Sequence, residues 1–193
     1  MGRIIWNPQP RANFRLRVDR DKKAQPAKRE MRTVRTPDWS TAQKMNVTAF
    51  DIAQRFIGME EIPGQKNNPA ILAMLTLDQA WPENDEVPWC SGFVNYVAWL
   101  LRLPRSKSLM ARSWLQVGRP ISFGDATHGN DVVILKRGSG NQPGPEVTNA
   151  PGHVGFYAGR DGVDIFLLGG NQNDSVSVGR YDSARVLGIR RLA

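Results

Sequence analysis

The sequence has a single cysteine, Cys90, and only two histidines, His128 and His153, among its 193 residues. One thiol excludes an internal disulfide framework and any multi-thiolate metal cluster. Two histidines supply a histidine-based zinc site poorly, so neither a metal nor a cofactor is expected. Long hydrophobic runs are also lacking: no stretch approaches the roughly 18 apolar residues of a membrane span. The N-terminus turns arginine-rich without an apolar leader, so synthesis in the cytoplasm without standard secretion is expected. Acidic residues are scarce in one region only. Residues 1–38 carry eleven Lys/Arg against four Asp/Glu, whereas the remainder carries fifteen against fourteen.

The net charge of +8 therefore belongs to an N-terminal arm rather than to the whole chain. Prolines recur there at positions 8, 10, 26 and 37, with no sustained hydrophobic period. We read residues 1–45 as an extended basic arm and linker, with a short alternating strand around Phe14–Val18. Such an arm suits an anionic cell envelope, an acidic protein surface or a nucleic acid. The near-neutral remainder, which has no nucleic-acid reading motif, argues against the last. Residues 46–193 form the folded domain; the chain's 40% hydrophobic residues and six tryptophans, four of them in this domain, argue for a folded protein rather than a disordered one.

Within that domain the hydrophobic period changes once. Thr48 and Asp51 form a capping pair ahead of an apolar face at Ala49, Phe50, Ala53, Phe56 and Ile57, and Gly58 stops the helix. Asn68 and Pro69 open a second helix over 70–77. An acidic, Pro-broken loop over 78–88 leads to Cys90. Beyond Cys90, Phe93, Val94, Val97, Ala98 and Leu101 fall on one helical face that ends before Pro104. Further helical turns are expected over 111–117. The period then becomes two, with strands expected over 131–135, 153–158, 163–168, 175–178 and 185–191. Helices first and an antiparallel meander of about five strands afterwards make an α+β layout.

Cys90 falls in the first turn of its helix, where the helix dipole favours an anion and a thiol should ionise more easily. His153 opens a strand, which puts it at a sheet edge. A hairpin turning at Gly159–Gly162 brings residues near 168–171 opposite His153, so Asn171 comes within reach of the ring. A helix-borne Cys, a strand-borne His and an amide that orients the ring without charge form a known nucleophile–base arrangement. Asp174 is the alternative orienter. Trp89, Ser91, Asp85 and Glu86 are the candidate substrate contacts, the two acids suiting amino groups. His128 reads as solvated and outside the chemistry.

Three blocks carry a resemblance: Trp89-Cys90-Ser91-Gly92-Phe93-Val94, Gly152-His153-Val154-Gly155-Phe156-Tyr157 and Leu168-Gly169-Gly170-Asn171-Gln172. Together they resemble the NlpC-type and CHAP cysteine peptidoglycan hydrolases, over residues 46 to 192. The resemblance implies a papain-like fold and cleavage of amide bonds in stem peptides or cross-bridges, with Cys90 as nucleophile, His153 as general base and Asn171 in the third position. It further implies a phage endolysin or a tail-associated lysin acting in the cell wall. The basic arm would then meet the anionic envelope or a tail or baseplate protein. Endopeptidase and amidase activity are both open, as are an antibacterial effector and a non-catalytic envelope-binding module on the same fold.

Overall fold

The structure is a computed structural model that describes residues 46–64 and 66–193. The reading of residues 1–45, including a strand at Phe14–Val18, lies outside the described residues. Helix α1 spans Ala49–Ala53 and continues as a 3-10 turn over Gln54–Phe56. Its start is the expected capping box: the Thr48 side chain accepts from the Asp51 N–H and the Asp51 carboxylate accepts from the Thr48 N–H. Helix α2 spans Pro69–Thr76, with Asn68 capping Ala70. Helix α3 spans Cys90–Leu100. The turns expected over 111–117 are 3-10 rather than α, over Ala111–Gln116.

Among the described residues the sheet has six strands, one more than expected: β1 Arg119–Ile121, β2 Asp131–Lys136, β3 Gly152–Asp161, β4 Asp164–Gly169, β5 Ser177–Asp182 and β6 Val186–Arg191. Their order is β1-β6-β2-β3-β4-β5, with every neighbouring pair antiparallel. Strands β2 to β5 are the expected meander. Strand β6 then returns to the far side of β2, which corrects a simple five-strand meander. The extra strand, β1, is three residues long and holds Pro120, which an edge strand tolerates because one side of it needs no ladder donor. The strand expected over 175–178 begins later because Ser175 bridges to Glu60 instead.

Burial follows the alternation of the strands. Val132, Ile134, Val154 and Phe156 join Met74, Trp89, Phe93, Val97 and Trp114 in one core between helices and sheet. Val133, Leu135, Tyr157, Ile165, Leu167 and Ile189 form a second cluster. The apolar face of α3 is wholly buried, with Phe93, Val94, Val97 and Ala98 at 0% exposure. Each large side chain on it contributes about 1.5–3 kcal/mol. That face fixes the helix on the sheet and so fixes where its first residue, Cys90, meets strand β3. Among the described residues, no helix is long and apolar enough to cross a membrane.

Candidate active site

Helix α3 starts without a side-chain cap, its N-cap being Trp89. The first N–H groups of a helix have no intrahelical acceptor, and here those of Cys90 and Ser91 face the Cys90 thiol and favour its anionic form. The sulfur also faces strand β3, where the Val154 N–H favours its anionic form. Val154 directly follows His153, so the thiol-bearing helix end and the imidazole-bearing strand start are neighbours. No hydrogen bond joins the Cys90 and His153 side chains in this resting arrangement; such contacts often tighten only when substrate is bound.

The His153 ring is buried, at 4% exposure. Its Nε2 lies 3.1 Å from Oε1 of Gln172. The orientation of that amide is settled by its other bonds. Gln172 Nε2 donates to the carbonyls of Gly169 and Ser177, and Oε1 accepts from the Tyr181 hydroxyl at 2.7 Å. An oxygen facing His153 can only accept, so Nε2 carries the ring proton. Nδ1 is left as the basic nitrogen. The Tyr181 ring lies against the imidazole, with centroids 5.4 Å apart. Burial pushes the Tyr181 pKa up to about 12, so the hydroxyl stays a donor.

Gln172 therefore takes the place expected of Asn171. Continuing the Phe156↔Leu168 and Tyr157↔Leu167 register would set Asn171 opposite His153. Strand β4 ends at Gly169, however, and Asn171 adopts φ 56°, so the chain turns back and the next side chain enters the site. The Asn171 amide instead donates to Glu61 Oε1 at 3.0 Å. Asp174 is exposed at φ 58° and accepts from the Glu61 N–H through its carbonyl, so the fallback orienter is not on the ring either. Gly170 is needed for close approach: a Cβ there would lie 2.3 Å from the Trp89 ring.

The expected substrate contacts divide. Trp89 is fully buried and donates through Nε1 to Glu61 Oε1 at 2.6 Å, so it presents no face to a cleft. Ser91 is also buried; its hydroxyl donates to the Ser108 carbonyl at 2.6 Å and accepts from Trp114 Nε1 at 2.9 Å. Asp85 is 1% exposed and pins its loop by accepting from the N–H groups of Asn68 and Ile62. Of the four, only Glu86 is exposed, in an open depression with Glu60, Glu61 and Asp174. His128 is not merely solvated: it stacks on Phe50, and its Nε2 lies 2.6 Å from the Ala158 carbonyl.

Electrostatics correct one further expectation. Cys90 is 2% exposed, and burial raises its thiol pKa. The Val154 N–H, the Arg137 charge and the N–H groups of the helix start oppose that rise without reversing it. Burial lowers the His153 pKa to about 4; the Gln172 bond opposes this, while Arg137 and Arg185 add to it. Desolvation outweighs the helix dipole here. The resting pair is a thiol and a neutral imidazole. Gln172, Tyr181, Arg137 and Arg185 went unassigned in the sequence, although Gln172 stands inside the Gly-Gly-Asn-Gln block.

No family model and no curated protein matches the chain. Among solved structures the chain is similar to NlpC1 from Trichomonas vaginalis, at 16% identity and a TM-score of 0.45. That match covers 78% of this chain and 46% of the other, so the chain spans less than half the length of that structure.

Proposed function

We propose that this chain is a cysteine hydrolase that cleaves amide bonds in peptidoglycan stem peptides or cross-bridges. The observation that carries the reading is the hydrogen-bonded series Tyr181–Gln172–His153, which fixes the imidazole tautomer beside the uncapped start of the Cys90 helix. Any buried imidazole needs a partner, but here the partner's own orientation is fixed by Tyr181, which leaves Nδ1 as the basic nitrogen a general base requires. In the proposed reaction Nδ1 of His153 takes the thiol proton as Cys90 Sγ attacks the amide carbonyl. The backbone N–H groups at the helix start stabilise the developing oxyanion. His153 then protonates the departing amine, and water, activated by the same nitrogen, hydrolyses the thioester. Because thiol and imidazole rest uncharged, proton transfer accompanies attack instead of preceding it.

The three sequence blocks favour a lysin of the phage type, free or tail-associated, with the basic arm on an anionic envelope or a particle protein. Whether the bond cut is an endopeptidase or an amidase target follows from the products. The near-complete burial of Cys90 favours a second reading, a binding module without turnover. Digestion of purified peptidoglycan by the wild type and by Cys90→Ala, with products read by mass spectrometry, separates the two. New amines and muropeptides are expected with the wild type alone; the same spectrum from both proteins would leave only the binding module.

A further inference from the structure

The open cleft in front of His153 has a volume of about 480 Å³ and is walled by His153, Tyr181 and three arginines, Arg137, Arg180 and Arg185. Among the described residues no Asp or Glu side chain lines it. Arg180 is already engaged, ion-paired with Asp164. Arg185 is held in place: Nε and Nη2 donate to the Lys136 carbonyl at 3.2 and 2.9 Å, and the guanidinium lies 5.6 Å from the Tyr181 ring centroid. Neither Arg185 nor Arg137 has an ion-pair partner among the described residues.

Two uncompensated cations beside a buried imidazole are costly for a general base. Both push the proton off His153. An anion bound between them and the ring would remove that penalty, and the planar guanidinium fork suits a carboxylate. The neighbouring depression, with Glu60, Glu61, Glu86 and Asp174 in its wall, meets the cleft at Asn173. It repels the same group, so a ligand carrying one carboxylate has a defined direction.

We infer that the cleft binds a free carboxylate of the peptide next to the amide bond attacked by Cys90, held by Arg137 and Arg185. This deepens the hydrolase reading, so binding and cleavage are measured separately. Calorimetry uses the Cys90→Ala protein and two stem tripeptides that differ in one group: the γ-linked D-glutamate carries a free α-carboxylate in one and an amide in the other. The acid form is expected to bind roughly tenfold tighter or more at low salt, from charge-assisted hydrogen bonds that salt screens. Arg137→Gln should remove most of that preference and Arg137→Lys should restore part of it. Arg137 is exposed, so both variants are expected to fold, which a thermal melt checks. Equal affinity for the two peptides, or no binding of the acid form at millimolar concentration, overturns the carboxylate site. Cleavage of peptidoglycan by the wild type together with equal affinities would remove this site and leave the hydrolase. Acid-selective binding without cleavage would do the reverse.

Discussion

Acidification should destabilise this fold through His153. The ring is buried and stays neutral down to about pH 4, whereas in the unfolded chain it titrates near 6.5. Between those values the unfolded state binds a proton that the folded state refuses, so stability is present above pH 6.5 and lost as the pH falls. The loss is complete once the folded ring protonates near pH 4. At about 1.4 kcal/mol per pH unit the whole interval is worth about 3 kcal/mol, of which about 2 kcal/mol is gone by pH 5. Other groups titrate nearby. Burial raises the Glu61 pKa, which adds stability on acidification, and the Thr48 hydrogen bonds lower that of Asp51, which removes it. The assay is therefore a difference. Urea unfolding followed by tryptophan fluorescence is measured between pH 7.5 and 4.5 for the wild type and for His153→Gln, whose amide can still donate to Gln172. The wild-type curve should fall towards the variant's as the pH drops. Parallel profiles would refute the neutral buried imidazole and the tautomer argument built on it.

Two more predictions separate roles that the sequence leaves mixed. Gln172→Ala should lower the cleavage rate by roughly 10²-fold with little change in KM, since it frees the ring to rotate. Gln172→Glu should move the acid limb of the rate profile to higher pH, because a carboxylate favours the imidazolium. Asn171→Gly, which keeps the left-handed turn, should leave the rate near wild type. If Asn171→Gly and Gln172→Ala lose equal activity, the assignment of Gln172 as the positioning residue fails. Arg112 is buried and donates to the carbonyls of Pro143, Gly144, Val147 and Pro151, clamping the loop that leads into His153. Arg112→Met should cost about 3 kcal/mol and lower Tm by roughly 10 °C, because buried carbonyls lose their donors. An unchanged melt would mean that the clamp contributes nothing.

Local signals in the sequence carried far. The Thr48–Asp51 box, the Asn68-Pro69 start and the apolar face after Cys90 each have a cause within a few residues, and each element forms where that cause places it. The chain order Cys90 then His153 was legible for the same reason, because each opens a strongly patterned element. What went unread depends on distant partners. Strand β1 exists only because β6 comes back to pair with it, and Pro120 hides it from any local pattern. Gln172 replaces Asn171 at the ring through a turn at Asn171 that alternation along β4 does not foresee. The fates of Trp89, Ser91 and Asp85 rested on burial: a tryptophan, a serine or an aspartate near a nucleophile reads as a contact until Glu61, Ser108 and Asn68 take up its polar atoms.

The Gln172 amide accepts from His153 on β3 and from Tyr181 on β5, with β4 between them. The proton position on the imidazole thus depends on strand pairing two strands away. A slip of β5 by one residue would carry Tyr181 to the opposite face. The oxygen would lose the donor that holds it, and the ring could take either tautomer. Correct pairing of an outer strand and readiness of the base are one folding event, so a misregistered molecule could keep its core, its cysteine and its histidine and still be inert.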